Sequence, residues 1–137
     1  MRIRKSIAVL LLMCLLVSAS YAQAFMISPM YVGIDDFQVS LTISGSGTAD
    51  CEAYLTTSIS SCTPTLAVTL KKSTNGQAGT SVKSWTATGT YLSGASVDET
   101  IAVAGGYQYK LFATGRIVNS EGLVIETAYK NSAAAAY

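Results

Sequence analysis

The sequence predicts an all-β domain, a sandwich of about seven antiparallel strands. Three observations predict it. Apolar residues recur with period two, not 3.6, in one segment after another. Clusters of Gly, Asn and Ser separate those segments as turns separate strands. Only Pro29 and Pro64 interrupt the chain, while Thr, Ser and Gly are abundant. Such alternation suits sheets with one buried and one wet face. A small barrel or a jelly roll is the competing architecture.

Phe37–Ser44 is the cleanest strand, with Phe37, Val39, Leu41 and Ile43 on one face. Gly45-Ser46-Gly47 then turns the chain. Ala49–Leu55 alternates again, grouping Ala49, Cys51, Ala53 and Leu55. After a loop at Ser58–Pro64, Leu66, Val68 and Leu70 share a face. Asn75-Gly76 is a strong turn signal. The fourth strand falls in Ser81–Thr90. Val82 and Trp85 lie three apart there, so both point inward only if the strand is bulged near Ser84. The fifth strand is expected at Val97–Val103. Gly105-Gly106 turns into a sixth, with Tyr107, Tyr109, Leu111 and Ala113 in phase. Asn119-Ser120-Glu121-Gly122 suits a hairpin loop with Gly left-handed, and Leu123–Lys130 closes the sheet.

The first 24 residues read as a secretory signal peptide. Arg2, Arg4 and Lys5 precede an apolar run, Ile7–Val17, and Ala22-Gln23-Ala24 offers small residues for cleavage after Ala24 or Ala22. The run is about 11 residues, where a membrane span needs roughly 20. Cys14 is expected to leave with this peptide. Residues 25–36 then form an apolar extended segment, 37–132 the sandwich and 133–137 a tail. No second apolar run of membrane length follows, and no L-P-x-T-G sorting signal occurs. The expected location is extracellular, free or held at the cell wall without a covalent anchor.

The chain has nine basic and eight acidic residues, and cleavage removes Arg2, Arg4 and Lys5. The mature chain is therefore slightly acidic, with no basic stripe for nucleic acid. Two cysteines remain, Cys51 and Cys62. An even number in a short exported chain predicts a disulfide between them. Two buried free thiols, or a bridge between chains, are the alternatives.

The chain contains no histidine, which excludes His-based nucleophilic and acid–base catalysis and imidazole metal sites. Carboxylates remain. Asp35-Asp36, Asp50 with Glu52, and Asp98-Glu99 are the pairs from which a small hydrolase would draw, but so small a sandwich offers little cleft. Asp35-Asp36 and Asp98-Glu99, read as loops, would also offer calcium clustered oxygens, but no D-x-D-x-D-G spacing occurs. No cofactor is expected. Tyr54 lies out of phase with the core, Tyr91 has no fixed phase, and Trp85 would join them if exposed. These three aromatics are the candidates for a binding surface.

Gly105-Gly106-Tyr107-Gln108-Tyr109 resembles the Gly-x-Tyr approach to strand F of immunoglobulin-like domains. The resemblance implies a tyrosine corner at Tyr107, its hydroxyl bonding upstream backbone. Tyr109 stands where antibody domains place a cysteine, and Leu66–Lys72 lacks their Trp. The likeness is therefore to the sandwich and not to that subclass. The span Leu41–Ser132 also resembles an uncharacterised family of small secreted proteins of Gram-positive bacteria, clostridia especially. Its shared features are Gly47-x-Ala49-x-Cys51, Val68–Lys72, Val82–Trp85, the Gly-x-Tyr stretch and Glu126-Thr127. It implies export, an immunoglobulin-like sandwich and no established activity.

The function expected is thus a secreted, non-enzymatic binding or structural module for an extracellular protein or glycan. A carbohydrate-binding module and a carboxylate hydrolase are the alternatives. Self-association through residues 25–36, by strand addition to a neighbouring copy, is a further expectation.

Overall fold

A computed structural model describes residues 31–74 and 79–137. The signal peptide, its cleavage sites, residues 25–30 and the Asn75-Gly76 turn lie outside the described residues. Eight strands follow one another: β1 (Ile34–Ile43), β2 (Thr48–Thr57), β3 (Thr63–Ser73), β4 (Thr80–Thr88), β5 (Ala95–Ala102), β6 (Gln108–Val118), β7 (Val124–Asn131) and the short β8 (Ala135–Ala136). They form two antiparallel sheets, β1-β2-β5 and β4-β3-β6-β7, with β8 added to β6. This is the immunoglobulin-like sandwich, with β4 paired to β3.

Period-two burial is the reason these segments are strands. In β2, Ala49, Cys51, Ala53, Leu55 and Thr57 are buried, while Thr48, Glu52 and Tyr54 face water. Leu66, Val68 and Leu70 of β3 and Tyr109, Leu111, Ala113 and Ile117 of β6 meet that row from the other sheet. The Asn119–Gly122 loop is built as its sequence suggests. Gly122 takes φ +80°, and the Asn119 side-chain oxygen accepts the amides of Glu121 and Leu123.

Irregularities fall where the apolar phase breaks. Ile34 and Phe37 are three apart yet both buried, because the register slips between Ile34 and Asp36. Asp35-Asp36 thus belongs to β1 and not to a loop. On β4 the register skips Val82, between Leu70↔Lys83 and Lys71↔Ser81. That bulge lets both Val82 and Trp85 pack against the core. Trp85 is therefore half-buried, packed against the core and not exposed as Tyr54 and Tyr91 are.

Charged side chains guard the open sides of the sandwich. Glu99 on β5 sits in the inward row between Val97 and Ile101, opposite buried Cys51, and Lys83 on β4 lies opposite buried Leu70. Inward-pointing charges on edge strands discourage pairing with other chains. On the other side, Glu126 of β7 accepts the backbone amides of Val32 and Gly33. Lys130 donates to the Phe37 carbonyl at 2.6 Å. The 133–137 segment is no loose tail. The Tyr137 carbonyl accepts the amides of Gly106 and Tyr107.

The expected disulfide is corrected. Cys51 and Cys62 are both buried free thiols. β2 continues through Thr57, six residues past Cys51, so Cys62 lies roughly 20 Å further along the sandwich at strand rise. A disulfide needs Cα atoms within about 7 Å. Burial pushes the Cys51 thiol up to about 11, with Asp50 adding to the shift. Cys51 should therefore resist alkylation in the native protein. Both thiols should label in denaturant without reductant. A Cys51–Cys62 cross-linked peptide in a non-reduced digest would overturn this.

Candidate functional site

The outer face of the β1-β2-β5 sheet is a grid fixed by register. Thr42, Asp50 and Thr100 form one row across the three strands, Ser40, Glu52 and Asp98 the next, and Gln38, Tyr54 and Ser96 a third. These residues point outward because their neighbours in each strand point to the core. Tyr54 is 39% exposed. Gly94 lies against its ring edge, where a Cβ would come within 3.1 Å of Tyr54 Cε2. Gln38 donates to Asp36, and Ser40 donates to Glu52 at 3.3 Å. Tyr54, Glu52 and Asp98 line a shallow hollow with Gln38, Ser40 and Ser96.

One oxygen from each of Asp50, Glu52 and Asp98 lies within 4.8 Å of the others. Glu52 and Asp98 stand directly opposite one another, an arrangement that destabilises a sheet unless something neutralises it. No Lys or Arg occupies β1, β2 or β5. Three carboxylates supply three of the six to eight oxygens that calcium takes. They crowd closer than the roughly 5–9 Å that separates glycosidase carboxyl groups, and they lie on an open sheet face and not in a cleft.

The sequence pairs Asp98 with its neighbour Glu99, both at the start of the expected fifth strand and as a loop pair for calcium. The structure puts them on strand β5, with Asp98 outward beside Glu52 and Glu99 in the inward row. Asp35 and Asp36 do not join this group. Tyr91 does not join Tyr54 either. It lies in the β4–β5 loop, beside the 90%-exposed Leu92, and lines a separate hollow with Ser60, Ser61 and Cys62. The tyrosine corner moves by one inward position. Tyr109, 1% exposed, donates its hydroxyl to the Ala104 carbonyl at 2.6 Å. Tyr107 instead meets the Tyr109 ring edge-on and lies under the Lys72 ammonium.

No protein-family model matches the chain, and no curated protein matches it. Among solved structures it is similar to a Bifidobacterium adolescentis GH3 beta-glucosidase. That likeness has 17% identity, covers 80% of this chain and 18% of that chain, and has a TM-score of 0.31. At this score neither substrate nor activity passes from that enzyme to this chain.

Proposed function

We propose that this is a secreted, non-enzymatic binding module whose ligand docks on the outer face of the β1-β2-β5 sheet. The observation that carries the reading is Tyr54, exposed beside the directly opposed carboxylates Glu52 and Asp98. Such a face attracts a cationic partner over distance and gives it an aromatic ring to pack on. The open sheet holds no cleft that would shield a reaction from water, and the chain has no histidine. Export rests on the charged, apolar and small-residue order of residues 1–24, with the likeness to small secreted Gram-positive proteins in support.

Calorimetric titration with an oligolysine peptide tests the reading. Binding should weaken about tenfold, roughly 1.4 kcal/mol, in Glu52→Gln/Asp98→Asn, and weaken also in Tyr54→Ala. Affinity unchanged in both variants would sink it. The carbohydrate reading keeps one support, since a tyrosine ring among Gln38, Ser40, Ser96 and carboxylates also suits a sugar's apolar face and hydroxyls. A polysaccharide pull-down lost in Tyr54→Ala but retained in Glu52→Gln/Asp98→Asn would favour it.

A further inference from the structure

The two sheets are segregated by charge. Strands β1, β2 and β5 carry six acidic residues, Asp35, Asp36, Asp50, Glu52, Asp98 and Glu99, and no basic one. Strands β3, β4, β6 and β7 carry six basic residues, Lys71, Lys72, Lys83, Lys110, Arg116 and Lys130, and one acidic residue, Glu126. These six are all the basic residues beyond the first five positions of the chain. A slightly acidic total therefore conceals two sheets of opposite sign.

The outer faces match in detail. On one, Glu52 stands directly opposite Asp98. On the other, Lys71 stands directly opposite Lys110. Like charges directly opposed weaken a sheet, and here each sheet holds one such pair of opposite sign. The pairs cannot neutralise each other within one molecule, because the apolar core separates the sheets. Each pair has an aromatic beside it on the same face. Tyr54 lies one outward position from Glu52, and Phe112 lies one outward position from Lys110. The Lys71 ammonium sits 4.9 Å from the Phe112 ring centre and that of Lys110 5.8 Å.

We infer that the partner of the acidic face is the basic face of a second copy of this chain. The inference rests on the binding face proposed above and names its occupant. The contact is head-to-tail, and the two faces point away from each other across the sandwich. Repetition of such a contact extends without closing and builds stacks. Exposed charges carry it, so salt beyond a few tenths molar should disperse it, since the screening length falls to a few ångströms near 1 M.

Sedimentation velocity on protein purified from the cells that express it provides the test. At low salt the mass should grow with concentration, and high salt should return monomers. Lys71→Glu/Lys110→Glu has two acidic faces and should stay monomeric at low salt. Glu52→Lys/Asp98→Lys has two basic faces and should do the same. Mixing the two variants should restore assembly, which misfolded variants would not do. A wild-type monomer at low salt overturns the inference. So does assembly by either variant alone, or association indifferent to salt, which would instead indicate strand addition through residues 25–36. If the wild type stays monomeric yet binds oligolysine through Glu52 and Asp98, the binding face stands and only its occupant is wrong.

Discussion

Replacing Tyr109 with Phe is expected to destabilise the sandwich by about 2 kcal/mol, and replacing it with Ala by about 4 kcal/mol. The two losses have different causes. Tyr109 is the largest of the fully buried side chains, so truncation removes core volume that neighbours fill only in part. Phe keeps the ring but removes the hydroxyl that the Ala104 carbonyl accepts at 2.6 Å. An acceptor left without its partner costs its own desolvation. That bond also ties the segment after β5 to the start of β6, and so joins the two sheets at one end. Tyr107→Phe should change stability by no more than about 0.5 kcal/mol, as ordinary surface changes do. Urea melts of the three variants decide the matter. A larger loss in Tyr107→Phe than in Tyr109→Phe would return the corner to Tyr107.

The contrast between these tyrosines marks what the sequence made legible. Both lie in the same period-two row, so alternation placed them on one face without saying which would be buried. The Gly-x-Tyr likeness selected Tyr107, but β6 begins at Gln108 and buries Tyr109 first. Rows with strong alternation, such as Ala49–Leu55 and Leu66–Leu70, were readable because one face is wholly apolar. Bulges were readable only as conflicts of phase. The Val82–Trp85 conflict points to a bulge near Ser84, and the register in fact skips Val82, two residues earlier. The Ile34–Phe37 conflict was hidden by Asp35-Asp36, poor strand formers that look like loop. Asp98-Glu99 reads two ways for the same reason, as a loop pair and as part of the strand expected at Val97–Val103, and the strand is what forms. Edge strands tolerate charges that central strands do not, and β5 is an edge strand.

The site depended on what no local pattern contains. Asp98 meets Glu52 only because β5 pairs with β2, a contact between residues 46 positions apart in the chain. The disulfide failed for a related reason. Even cysteine count and short separation were correct, but the length of β2 beyond Cys51 decides the distance. By contrast, the division of charge between the sheets is visible in the sequence once the strand order is known.

Replacing Gly89 with Ala is expected to cost about 3 kcal/mol, at the upper end of overpacking losses. Gly89 follows β4, where the chain leaves one sheet for the other. Its amide donates to the Pro64 carbonyl at 3.0 Å. A Cβ there would overlap the Gly94 carbonyl and come within 2.5 Å of the Ala95 nitrogen. These are backbone atoms, so no rotamer change relieves the overlap. The backbone itself is held. Thr90 and Gly94 form a bridge, Gly94 donates to Thr90 at 2.8 Å, and the Thr90 and Ser93 hydroxyls share a hydrogen bond of 2.8 Å. Gly94 has φ +70° and lies against the Leu55 carbonyl, so it cannot retreat toward the other sheet without displacing β2. Gly45 supplies the control, because a Cβ there meets nothing within 4 Å. Gly45→Ala should be neutral, or stabilising by about 0.5 kcal/mol through lost unfolded-state freedom. Equal urea midpoints for the two variants would refute the crossing as a point of tight backbone contact. If Gly89→Ala folds with the expected loss, hydrogen exchange should quicken at the Gly89 and Gly94 amides before it does in β2 or β6.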